Sequence, residues 1–95
     1  MITEIAILKI KQNQSKAFLI SFAKAEKIIA SSQGYISHKL QKCIEQEDKF
    51  LLMVKWQTLE NHTEGFRESE AYLDWKKLLH HYYEPFPEVE HYTQL

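Results

Sequence analysis

Two histidines, a run of aromatics and one arginine carry most of the chemical potential of this chain. His62 and Phe66 lie four residues apart in a stretch of helical character, so they share one face. Arg67 follows at once, and Tyr72 and Trp75 come next at helical spacing. His38 stands on an alternating segment, on the same side as Ile36 and Leu40, a side directed toward the helices. Histidine titrates near neutrality and is the default proton acceptor in such a set. Aromatic rings would hold a flat ligand and exclude water around it. The Arg67 guanidinium would pair with an anionic ligand oxygen. The expectation is a small aromatic pocket with His62 or His38 as base and Phe66, Arg67, Tyr72 and Trp75 as its lining.

Each of these residues also has a plainer structural role. A histidine beside a short helix caps or hydrogen-bonds it, and one on an apolar strand face is a satisfied core residue. Tyr72 and Trp75 at helical spacing belong to a core before they belong to a ligand wall. Arg67 and Glu70 are placed for a surface ion pair or a cap contact. His80 and His81 end a helix, where the macrodipole favours positive charge. His91, near the end of the chain, is placed to hydrogen-bond across a sheet or an interface.

Other chemistries find little footing. The histidines do not occur as His-x-x-x-His and have no cysteines close by, so the sequence gives no metal site. Gly34 and Gly65 are the only glycines, which leaves no phosphate-cradling loop. Cys43 is the only cysteine; it excludes an internal disulfide and fits a reducing compartment. No serine stands in a nucleophile elbow. A net charge of −1 with dispersed lysines argues against nucleic acid and against a membrane surface. The N-terminus lacks the pattern of a signal peptide, and no run of about 20 apolar residues is present. The expected location is the cytoplasm.

The elements that must position these residues follow from periodicity. Residues 2–11 read as a strand with Ala6, Leu8 and Ile10 on one face and Ile5 and Ile7 on the other. Residues 15–31 read as a helix with Ser15 as N-cap, Phe18, Phe22, Ala25 and Ile29 at helical spacing, and Gly34 as a left-handed C′ residue. Residues 35–42 and 50–56 are strands close enough to form a hairpin, the second nearly all apolar. A broken helix follows: one piece from Thr58 to about Phe66, and a second capped by Ser69 that runs to about His81. An extended Glu84-Pro85-Phe86-Pro87 link leads to a last strand over 88–94. The order is β-α-β-β-α-β, the ferredoxin-like split βαβ, in one α+β domain of residues 1–95. It predicts a four-stranded antiparallel sheet with helices on one face. The other face is also apolar, and a second copy packed sheet to sheet would cover it, giving a homodimer.

The chain resembles the antibiotic biosynthesis monooxygenase family of dimeric α/β barrels. The resemblance spans nearly the whole sequence and is most specific in Trp56-Gln57-Thr58-Leu59-Glu60-Asn61-His62, Phe66-Arg67-Glu68-Ser69-Glu70-Ala71-Tyr72 and Trp75. It implies a homodimer with a cavity between sheet and helices in each subunit, and oxidation of a phenolic or quinone-like molecule by dioxygen with no metal or flavin. A heme-opening branch of similar proteins carries asparagine, tryptophan and histidine where this chain has Ala6, Phe66 and Trp75, so heme opening is not expected. In a cofactor-free oxygenase, a phenol must lose a proton to become an anion that dioxygen can attack. The alternative expectation is a non-enzymatic module of the same fold that binds a small ligand or serves only as a stable dimer.

Overall fold

The structure, a computed structural model, describes residues 1–95. Strand β1 (Ile2–Lys9) is followed by helix α1 (Ser15–Ala30), strands β2 (Tyr35–Lys42) and β3 (Lys49–Trp56), a wide π-helical turn (Asn61–Phe66), helix α2 (Glu70–Leu79), a 3-10 turn (His80–Tyr82) and strand β4 (Val89–Thr93). The four strands form one antiparallel sheet in the order β2-β3-β1-β4. This is the ferredoxin-like arrangement, with the second helix broken as the sequence predicts.

Alternation on the strands and helical spacing on α1 meet in one core. Ala6, Leu8 and Ile10 from the first strand segment and Phe50, Leu52, Val54 and Trp56 from β3 point to the same side of the sheet and are buried. Phe18, Phe22, Ala25 and Ile29 of α1 and Trp75 and Leu79 of α2 close over them. Burial of a large apolar side chain stabilises by about 1.5–3 kcal/mol, so this layer is the main source of stability.

The opposite face has no cover within the chain. Ile5 and Met53 are register partners at its centre, as are Ile7 and Leu51. Ile7 is 47% exposed and Tyr92 of β4 is 53% exposed. Lys39, Lys49 and Lys55 project on the same side as Met53 and surround this apolar centre.

Two local expectations are corrected. Ser15 is the first helical residue and not the N-cap; its hydroxyl donates to Asp48 at 2.7 Å, and Gln14 holds the cap position without a side-chain bond. Asn13 takes a positive φ of 64°, which turns the chain into α1 one residue earlier than the serine suggests. Gly34 does adopt a positive φ, at 84°, but it stands at the entry to β2 and not at the end of α1, where Ser31 is the cap.

Candidate active site

The residues around His62 are arranged from the backbone outward. Thr58 and Asn61 cap the turn reciprocally: the Asn61 amide donates to Thr58 Oγ1 at 3.2 Å, and the Thr58 amide donates to Asn61 Oδ1 at 3.0 Å. The turn is then widened, because the Arg67 amide donates to the His62 carbonyl five residues back at 3.0 Å. His62 and Phe66 both face inward and are buried. Ser69 ends the turn and starts α2: its hydroxyl donates to the Phe66 carbonyl at 2.6 Å and accepts from the Tyr72 amide at 3.2 Å. Sequence therefore fixes where Phe66, Tyr72 and Trp75 converge. Phe66 meets Tyr72 and Trp75 edge-on at centroid distances of 5.5 and 5.8 Å.

These side chains line an open cavity of about 610 Å³ between the sheet and the α2 segment. His62, Phe66, Arg67, Tyr72 and Trp75 all border it. Ala6, Leu8 and Leu52 form its sheet side, and His80, Tyr83 and Phe86 border it from the chain after α2. Five of the six residues singled out in the sequence are thus brought together.

His38 is not among them. Its strand, β2, lies at the edge of the sheet, and its ring goes under α1, edge-on to Phe22 at 6.0 Å. Tyr35 Oη contacts its Nδ1, and Glu26 Oε2 is 3.3 Å from its Nε2. Both ring nitrogens are taken by neighbours outside the cavity, which is the satisfied structural role. Arg67 also departs from expectation: it makes no ion pair with Glu70, and its exposed side chain borders the cavity.

The floor of the cavity holds a residue that sequence reasoning missed. Glu4 is 5% exposed on the inner side of β1. Its Oε1 accepts the Trp56 indole N–H at 2.9 Å and lies 3.3 Å from His62 Nε2. Both contacts meet the same oxygen, so Oε2 is left open to the cavity. The signal was present: Glu4 has the same parity as Ala6, Leu8 and Ile10, and a carboxylate on a buried face demands a partner or a function. His91, read in the sequence only as a structural hydrogen bonder, also joins the site: it is the cross-strand register partner of Glu4 on β4. Its Nε2 lies 2.8 Å from His62 Nδ1. The imidazole of His62 therefore rests above a Glu4–His91 pair and touches both ends, with the Trp56 ring stacked on it at 5.3 Å.

Burial dominates the electrostatics. It raises the Glu4 pKa above the usual carboxylate range, against the lowering effects of the Trp56 hydrogen bond and the Arg67 charge. It lowers His62 to about 3, helped by the positive charge of Arg67 and by His91. His62 and Glu4 are at ion-pair distance, yet a histidine so depressed is neutral at pH 7, and the 3.3 Å approach is a polar contact of a neutral ring with the carboxyl. Tyr83 is raised by burial first and then by Tyr72 and Glu4. His80 is lowered by burial and by Lys76. No group of three potential metal-ligating side chains converges anywhere in the chain.

The chain is thus a ferredoxin-like α+β unit with a carboxylate and a histidine bordering an open aromatic cavity. The chain belongs to the antibiotic biosynthesis monooxygenase family, whose family model matches residues 1–78. It is 51% identical over 95 residues to the uncharacterized protein YczJ of Bacillus subtilis, with full coverage of both chains. A solved structure from Bordetella bronchiseptica, assigned to the antibiotic biosynthesis monooxygenases, superposes with a TM-score of 0.94 at 28% identity, covering 99% of this chain and 96% of that one. SnoaB, a cofactor-independent oxygenase from Streptomyces nogalater, shares the fold with a TM-score of 0.86 at 14% identity, covering 99% and 92%. No helix is long and apolar enough to cross a membrane.

Proposed function

We propose that this protein is a cofactor-independent monooxygenase acting on a small aromatic or quinone-like molecule in the cavity beneath α2. The observation that carries the reading is the Glu4–His62 pair on the floor of an aromatic-walled cavity of about 610 Å³, a volume within the range of small-molecule sites. Glu4 extends the proton-accepting role expected of His62. Oε2 faces the ligand, and the His62 ring supports Oε1 from behind. A carboxylate raised by burial is a stronger base than an ordinary one, as proton abstraction from a phenol requires. Arg67 pairs with the phenolate oxygen, and Phe66, Tyr72 and Trp75 hold the ring and keep water away.

The reaction balances without an external reductant. The phenol loses its hydroxyl proton to the Glu4–His62 pair, and the electron-rich ring carbon para to that oxygen bonds to dioxygen. The resulting peroxide takes a proton. Loss of the ring hydrogen at that carbon and cleavage of the O–O bond then release water and leave a carbonyl. One phenol and one dioxygen give one para-quinone and one water. The competing reading, a ligand-binding or purely structural module, fits a filled interior with His62 tied to backbone. His62 instead hydrogen-bonds the His91 side chain and approaches the Glu4 carboxyl at 3.3 Å beside an open cavity.

Two copies joined through the outer sheet face complete the proposal. The surface of exposed Ile7 and half-buried Ile5, Leu51 and Met53 supports this assembly. The test of activity is dioxygen uptake with phenols and naphthols that have a free para position. The reading expects quinone formation without hydrogen peroxide, a rate reduced at least about 100-fold in Glu4→Gln and in His62→Ala, and a retained rate in His38→Ala. Equal rates in all four proteins would mean background autoxidation and would reject it.

A further inference from the structure

We infer that His91 is a positioning residue for the site, donating its Nε2 proton to His62 Nδ1 and thereby fixing the His62 proton on Nε2, against Glu4. The inference rests on the oxygenase reading for its catalytic meaning but not for its geometry. Three side chains from three elements form one line: His91 on β4, His62 on the π-helical turn and Glu4 on β1, with contacts of 2.8 and 3.3 Å. The line is built in by the sheet, because Glu4 and His91 are register partners across β1 and β4.

A neutral imidazole carries one ring proton, and either nitrogen could hold it. The direction of the chain settles the state of Glu4. With His91 donating to Nδ1, the remaining His62 proton must sit on Nε2, 3.3 Å from Oε1. Oε1 then accepts the Trp56 indole hydrogen bond and has the protonated His62 Nε2 at 3.3 Å. Both favour the carboxylate over the acid. Oε1 is held by the Trp56 indole, and Oε2, which makes no hydrogen bond, remains on the cavity side to take a proton. If the chain ran the other way, His62 Nδ1–H would donate to His91, and Nε2 would present a lone pair to Glu4. A carboxylate would then be repelled, Glu4 would hold a proton on Oε1, and the base would be absent. His91 touches no ligand; it acts through the tautomer of His62, as the orienting group of a catalytic triad acts through its histidine.

Two variants separate this role from simple packing. His91→Phe keeps a ring without a donor, whereas His91→Gln places an amide N–H near the position of Nε2. Nitrogen-15 spectra of ring-labelled protein report the His62 tautomer without any substrate. The expected result is a single Nε2–H tautomer in wild type and in His91→Gln, and a mixed or Nδ1–H tautomer in His91→Phe. If the catalytic reading holds, kcat falls at least tenfold in His91→Phe, KM stays within twofold, and His91→Gln recovers most of the rate. An unchanged His62 tautomer in His91→Phe overturns the inference, as does equal impairment of the two variants. His91→Ala replaces His91→Phe should the larger ring prevent folding. If wild type oxidises no phenol, the oxygenase reading fails alone, and the tautomer spectra still decide the positioning role.

Discussion

Replacing Gly34 by alanine should destabilise the protein far more than a single methyl suggests, and through the element that carries His62. Gly34 has φ +84°, a region that costs a non-glycine residue roughly 1–2 kcal/mol. A Cβ at this position would also lie 2.1 Å from Asn61 Cγ and 2.7 Å from Asn61 Cβ, so the asparagine side chain must leave. Asn61 Oδ1 accepts from both the amide and the hydroxyl of Thr58, and loss of such a cap costs about 1 kcal/mol. Together the effects come to about 3 kcal/mol. For a domain of this size each kcal/mol moves Tm by about 4–8 °C, so the melting point should fall by on the order of 15 °C. Thermal unfolding followed by circular dichroism measures it. A double-mutant cycle with Asn61→Gly should show coupling of about 1 kcal/mol, because the clash and the cap are then already gone. A Gly34→Ala variant that melts within about 3 °C of wild type would refute the reasoning.

Acid should destabilise the fold through His62, whose pKa is lowered on folding from 6.5 to about 3. The unfolded chain binds this proton first, so the stability is present above pH 6.5 and is lost as pH falls from there toward 3. Glu4 is raised and has the opposite sign, so the folded state gains as pH drops through its folded pKa. Glu4→Gln should therefore show a steeper loss in denaturant titrations as pH falls from 6.5 toward about 3, and His62→Gln a shallower one; identical slopes in both would contradict the assignment. A charge in the centre of the outer face, Ile7→Asp or Met53→Asp, should convert a dimer to monomer or unfold the chain, and a folded wild-type monomer in sedimentation would reject that interface.

Much of the architecture is readable from periodicity because the core is strictly patterned. The alternation in β1 and β3 and the spacing of Phe18, Phe22, Ala25 and Ile29 in α1 each specify a face, and those faces meet. The Ser69 cap is legible for the same local reason. Ser15 misleads because a serine at a helix start serves equally well as a distant donor, here to Asp48 across the hairpin turn. The site is half legible. Phe66, Tyr72 and Trp75 come from one short segment, so their convergence follows from local spacing. Glu4, His62 and His91 come from β1, the turn after β3 and β4, and only the sheet register brings them within hydrogen-bond distance. The wide turn is equally hidden, because a hydrogen bond to the fifth residue back has no composition of its own.

Reaction under heavy-isotope dioxygen, with mass spectrometry of the product, tests the central claim most directly. Oxygenation at the Glu4–His62 site predicts a quinone that gains one heavy oxygen, with the second recovered in water and the incorporation lost in Glu4→Gln. A product without label, or label recovered as hydrogen peroxide, would contradict it.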